Sequence, residues 1–443
     1  MMKPVVSLVR YKDVSSVSEA IRLCDGFDKL KSTHRVLLKP NICTAGGGFI
    51  PPYGTVTTTA VVEGTVRALK DAGVNDISIG EGTVTDELGT NTTKGYKWIQ
   101  LDRLATRYGV KLIDFNAGPH KKVMVEDVPM NIAEAALDTD FFVNLPVLKT
   151  HQDARVSLSG KNLKGCMSLA SKRFFHGEHG TIHYRISRLM EAVPQHLVII
   201  DGIYAMEKGP DATIGTGRPK GILAASTDFL AADAVGVRLL GAEPAEARHL
   251  SLYAERHGRL DVLQTPDTIE VRGERIEDHA EYLEWRSIAA EDMPASGHTG
   301  YEVRAFTDAA CSQCFANLSG SSLLLAALSR NKDFNDLVIV FGKSYKEERN
   351  SPRTLLFGNC AIKANKSLDK AMKLEGCPPK FWTSFLFLTG QMKSVPGRAA
   401  FYARTALCLA KGAAGVGLLP LPRFDVYKNK SAYDINHYRL SRS

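Results

Sequence analysis

The chain has 443 residues, 44% of them apolar and 23% charged, with a formal net charge of +8. That length suits two domains or one large one, and the composition is that of an ordinary globular protein, not a disordered or fibrous one. The basicity is mild and the lysines are scattered, with no basic stripe or recognition motif, so nucleic acid is not an expected partner.

The opening MMKPVVSLVRYKD meets charge too soon to be a secretory signal. No apolar run of about 18 residues appears, so no membrane partner is expected. The expectation is a cytoplasmic protein with reduced thiols. In that setting a cysteine cluster points to a metal or to catalysis.

Strand-like and helix-like stretches alternate over the first 240 residues. VVSLVRY (5–11) is β-rich and VSEAIRLCDGF has helical spacing. RVLLKPN (35–41) reads as a strand running into a polar loop. TTTAVVEGTVRALKDAG (57–73) reads as a helix closed by Gly73. DISIGEG (76–82), KLIDFNA, DFFVNLPVLKT, HLVIIDGIYAM and GILAAS are further strand candidates, and AADAVGVRLLG (231–241) is a helix. The pattern predicts an α/β fold with a mainly parallel sheet flanked by helices over residues 1–260. Residues 261–304 read as a connecting region that begins with the last strand of the first domain. Residues 305–443 read as a smaller C-terminal α/β region. In open sheets of this kind, ligands bind beyond the carboxyl ends of the strands.

Four polar stretches stand at those ends. LLKPNIC supplies Lys39 and Asn41. LPVLKTH supplies Lys149, Thr150 and His151. SGKNLKGC supplies Lys161, Asn162 and Lys164. IIDGIYAMEKGP supplies Asp201. The four lysines are candidates to line one cleft for a carboxylate or phosphate, against the alternative of solvated loop lysines paired with acids. Asp201 is a candidate general base or a turn cap. The hydroxyls of Thr57, Thr58 and Thr59 at a helix start are candidate anion receivers. FFHGEHGTIHY brings His176, His179 and His183 together, either as proton-relay or metal imidazoles or as a surface loop. The glycine-rich stretches lack the strand–turn–helix context of a dinucleotide fingerprint, so NAD is not expected.

Cys311 and Cys314 form a C-x2-C pair; Cys360 follows after 45 residues and Cys377 after 16 more. Four thiolates are a full ligand set for a [4Fe-4S] cluster or a zinc site. One close pair plus two isolated cysteines suits the cubane better than zinc, and unconnected cysteines are the third reading. GNCA followed by GCPP also resembles, locally, cluster-binding loops of nickel–iron hydrogenase small subunits. Cys24 and Cys408 lie among apolar neighbours and read as packing residues.

Taken together, KPN, NLPVLKTH, KNLKG, DGIYAMEKGP and ILAASTDFLAADAVGVRLLG resemble the family catalogued as domain of unknown function 362. The resemblance spans residues about 3–245. It implies an α/β fold associated with iron–sulfur modules and names no substrate. This chain lacks the ferredoxin-type cysteine run common in the family and has the sparser four-cysteine arrangement.

The combined expectation is an oxygen-sensitive, iron–sulfur-dependent oxidoreductase. It passes electrons from the cluster to an anionic small molecule or a second centre and takes them from a donor protein. Lys149, His151, Lys161 and Lys164 position the substrate, with His151 or His176 moving protons. The alternatives are a non-redox lyase or isomerase with a structural or Lewis-acid cluster, and an electron-relay or maturation protein acting on a partner.

Overall fold

The computed structural model describes residues 3–45, 50–84, 91–176, 181–212, 215–285, 298–304, 312–328, 333–343, 345–392, 422–429 and 431–441, with 403, 406 and 407. The strands of the first part are β1 (Val5–Arg10), β2 (Val36–Pro40), β3 (Ile77–Glu81), β4 (Lys111–Asp114), the hairpin β5 (His120–Val125) and β6 (Val128–Ala133), β7 (Phe141–Leu145), β8 (Val147–His151), β9 (Arg155–Val156), β10 (Leu197–Glu207), β11 (Thr216–Ser226) and β12 (Glu270–Gly273). The large sheet runs β12-β1-β11-β10-β7-β2-β3-β4, with β8 also paired to β10. Most neighbours are parallel; β11 runs antiparallel to β1 and β10.

The strands read as continuous apolar runs because both faces of the sheet are covered. Alternate residues go to opposite cores. Leu38, Phe141 and Ile199 belong to one, Leu37, Phe142 and Val198 to the other. Helix Thr59–Asp71 follows β2 and is set by its ends. The Thr58 side chain caps its start by accepting from the Val61 N–H, and Gly73 turns the chain out with φ +81°.

A second, all-parallel sheet has the order β13 (Thr299–Arg304), β14 (Asp333–Val340), β15 (Thr354–Phe357), β16 (Met372–Leu374). Its Leu337, Ile339, Leu355 and Phe357 share the core that holds Leu38 and Ile79. The smaller region is therefore packed onto one face of the first. The sequence boundaries shift in two places. β13 belongs to the second sheet, which begins at 299 and not 305. The last segment, 422–441, packs on the N-terminal part through Tyr53, Tyr204 and Glu63. No helix among the described residues is long and apolar enough to cross a membrane.

Candidate functional site

The motifs do meet at the carboxyl ends of β2, β3 and β8, but their lysines have different tasks. Lys39 is fully buried. Its three N–H groups are spent on Glu81 Oε2 (2.9 Å), the Pro40 carbonyl (2.9 Å) and Asn162 Oδ1 (3.1 Å). Glu81 also accepts from the Ile42 and Gly82 amides, at 2.8 and 2.7 Å. The turn through Gly165 closes over this pair so tightly that a Cβ there would stand 2.0 Å from Glu81 Oε1. Lys39 is thus a structural residue with no donor left for a ligand, contrary to the sequence expectation.

Lys149 is likewise fully buried. It donates to Asn41 Oδ1 (2.7 Å), the Thr55 carbonyl (2.8 Å) and the Pro210 carbonyl (3.0 Å), with Cys43 Sγ at 3.7 Å. None of these partners is a carboxylate. Lys149 therefore adds positive potential to the site without a free N–H. Asn41 and Asn162 join the two lysines: Asn41 Nδ2 donates to Asn162 Oδ1 (3.0 Å), and Asn162 Nδ2 donates to Asn144 Oδ1 (2.7 Å). Thr150 donates to the Met206 and Glu284 carbonyls. These three polar residues build the floor of the site and do not face a ligand.

Lys161 and Lys164 differ. Both are part-buried, on the short helix Ser159–Asn162 and the 3-10 turn that follows it. Lys164 Nζ donates to His176 Nε2 at 2.6 Å, and His176 Nδ1 faces Asp153 Oδ2 at 3.5 Å. Burial, then Lys164, pulls the His176 pKa down to about 4. The ring is neutral at pH 7, with its proton on Nδ1 toward Asp153 and its Nε2 lone pair toward the amine. Lys161 makes no hydrogen bond or ion pair among the described residues. Burial, then the charges of Lys164 and Lys149, holds its ammonium well below the ordinary lysine value.

His151 is buried and its Nδ1 accepts from the Asp153 amide at 3.0 Å. Burial, then Lys161, keeps its pKa well below the ordinary histidine value. The neutral ring therefore carries its proton on Nε2, which has no partner among the described residues. It presents a donor, where the sequence reading expected a proton carrier.

Asp201 lies elsewhere. Its carboxylate accepts from the Thr58 amide (2.6 Å) and the Ile203 amide (3.1 Å). It occupies the helix start at Thr57–Thr59 where an anion was expected to bind. Burial raises its pKa to about 6, but its two backbone bonds make it a cap and not a base. Asp233 does the same for Ser159 and Gly160, at 2.8 and 3.0 Å, and so anchors the helix that carries Lys161.

The histidine loop divides. His176 joins Lys164, while His183 stacks on His249 with ring centroids 5.8 Å apart. His179 lies outside the described residues. Asp153, Glu81, His249 and Asp233 were missed in the sequence. Asp153 is two residues after His151 and Glu81 ends an apolar strand, which are the signals available for them.

Of the cluster cysteines, Cys311 lies outside the described residues. Cys314, in the first turn of helix Ser312–Leu328, and Cys360, in the first turn of helix Asn359–Ala364, are part-buried; Cys377, after β16, is exposed. They converge on one end of the second sheet. Gly358 lies between them: a Cβ on it would stand 3.3 Å from Cys314 Sγ and 3.5 Å from the Gly376 carbonyl. Asn359 and Gly376 exchange two hydrogen bonds, at 2.9 and 2.8 Å. Cys377 acts on Cys360 electrostatically. Among the described residues no three His, Cys, Asp or Glu side chains are grouped closely enough to hold a metal ion. Cys24 is buried in the core as expected, and Cys408 lies outside the described residues.

The family described as Domain of unknown function (DUF362) matches residues 36–238, which contain all four site motifs. Thylakoid-associated protein sll1697 of Synechocystis sp. is 29% identical over 220 residues, covering 49% of this chain and 66% of that protein. The chain thus matches just under two thirds of that relative's length. Among solved structures, the lactate racemase apoprotein from Thermoanaerobacterium thermosaccharolyticum aligns at a TM-score of 0.30 and 13% identity, over 52% of this chain and 55% of that one. A protein from Thermotoga maritima aligns at 0.33 and 13%, over 55% and 60%.

Proposed function

We propose that the chain is an enzyme acting on a small anionic molecule held where β8 and the 159–166 turns meet. The observation that carries this reading is Lys161: an amine with no hydrogen bond or ion pair among the described residues, acted on by the charges of Lys164 and Lys149 and, in the opposite sense, by Asp153. A carboxylate or phosphate supplies the missing negative charge. Lys161 and Lys164 contact it, Lys149 adds potential from behind, and His151 donates through Nε2 to a ligand oxygen. The neutral His176, held between Lys164 and Asp153, accepts the Lys164 N–H at Nε2 and keeps that amine oriented. A thermal-shift screen of carboxylates and phosphates tests the reading. An anion should raise the melting temperature of the wild type and not of Lys161→Ala or Lys164→Ala. A charge-assisted contact is worth about 1.5–3 kcal/mol, so each change should weaken binding by roughly tenfold to a hundredfold. Equal responses in all three proteins would sink it.

The convergence of Cys314, Cys360 and Cys377 supports a second element of the reading, a [4Fe-4S] cluster completed by Cys311. The donor set fits in kind, being cysteine thiols from three separate segments around two glycines, and closing it requires the thiols to draw together. Such a cluster supplies single-electron transfer, and with it the chain is an iron–sulfur oxidoreductase using a donor protein. Iron and sulfide analysis of anaerobically purified protein tests this, with about four of each per chain expected. Each single Cys→Ser change at the four positions should lower both. Stoichiometric zinc without iron would reject the cluster and leave the anion site standing.

A further inference from the structure

We propose that Lys161 is a covalent catalytic residue, whose ε-amine condenses with the carbonyl carbon of an anionic oxo compound, of which the 2-oxo acids are the fitting class. This rests on the anionic-molecule reading above and adds the reactive group that the molecule must carry.

The argument starts from how each nearby amine is used. Lys39 and Lys149 have three protein acceptors apiece, and Lys164 is bonded to His176. Lys161 alone of the four has neither hydrogen bond nor ion pair among the described residues. It keeps part of its surface open to solvent, which gives a ligand access. Its principal electrostatic neighbours are Lys164 and Lys149, with Asp153 and Cys43 acting in the opposite sense. Burial and the two neighbouring ammonium groups both disfavour a third charge there, and that arrangement favours the neutral amine with its reactive lone pair. The His151 Nε2 donor lies within electrostatic reach of the same amine and is of the type that polarises a carbonyl oxygen.

The step balances without a further reagent. The Nζ lone pair bonds to the carbonyl carbon as the C=O π pair moves to oxygen, which takes up a proton. The nitrogen loses one proton, and the hydroxyl takes a second and leaves as water. The sum is amine plus carbonyl plus one proton from solvent giving an iminium and one water. The iminium adds one positive charge to a site already rich in them, and the substrate's own carboxylate cancels it. The site should therefore select oxo acids over neutral aldehydes and ketones.

The full-length protein is incubated at pH 7 with pyruvate or glyoxylate and cyanoborohydride, then digested and mapped by mass spectrometry. The expected result is one dominant adduct, on the peptide carrying Lys161, formed at least tenfold faster than on any other lysine. Excess lactate or phosphate should suppress it, acetone should not reproduce it, and the Lys161→Arg protein should lose it. Because the mapping is done on the wild type, it does not depend on that variant folding. Adducts spread over other lysines with Lys161 unmodified, in a protein whose melting temperature pyruvate still raises, would overturn the Schiff base and leave anion binding intact. No stabilisation by any anion and no adduct would remove both readings.

Discussion

Replacing Glu81 by Gln tests whether the Lys39–Glu81 pair is the structural floor of the site. The pair is 2.9 Å long with side-chain exposures of 0% and 3%. Its carboxylate also receives the Ile42 and Gly82 amides, one on each oxygen. The Gln amide can keep its oxygen toward Lys39 and Ile42, and its NH2 then meets the Gly82 N–H donor to donor. One buried N–H loses its partner at about 1–3 kcal/mol, and Lys39 becomes a buried charge without its counter-ion. Breaking one side of a buried pair costs about 3–5 kcal/mol in all. Urea denaturation followed by circular dichroism should show a loss in that range for Glu81→Gln. A Lys39→Met, Glu81→Leu double variant should recover part of it, because no charge is then stranded. A loss below about 1 kcal/mol, or a double variant as unstable as the sum of the singles, would refute the reasoning.

Asp233 titrates at about 6 in the fold because burial raises it from 3.8, and Asp201 behaves alike. The native state then binds more protons than the unfolded state between those values. Stability contributed by each group is full at low pH and falls as pH rises from about 4 to about 6; relative to Asp233→Asn, the wild type should lose on the order of 2–3 kcal/mol across that window in urea melts. Gly165→Ala should destabilise strongly and weaken anion binding, since its Cβ would meet Glu81 Oε1 and Lys39 Nζ, at 2.6 Å from the latter; an unchanged melting temperature would contradict the close packing. Tyr438→Phe removes the hydroxyl that accepts the Gly54 amide at 3.1 Å. It should cost about 1–3 kcal/mol in the same melts, and no change would mean that the C-terminal segment does not brace that turn.

The α/β class was legible in the sequence for a local reason. A strand buried on both faces reads as a largely apolar run, so the polar residues of KPN and LKTH marked the carboxyl ends of β2 and β8, and those of KNLKG the short helix and turn that follow β9. Helix Thr59–Asp71 carried its own cap in Thr58 and its own stop in Gly73. Which lysine keeps a usable amine was decided only by tertiary structure. Lys39 and Lys161 look alike in sequence, but Glu81 lies 42 residues from Lys39 and Asn162 lies 123 residues away, and no local pattern announces those pairings. Asp201 reaches 143 residues back to fill the helix start at Thr58, and Tyr438 reaches 384 residues back to Gly54. Short-range propensity and hydrophobic period set where a polar residue stands along its own element. Whether its hydrogen bonds are spent depends on which distant groups the packing of the sheet brings within 3 Å, and only the assembled fold determines that.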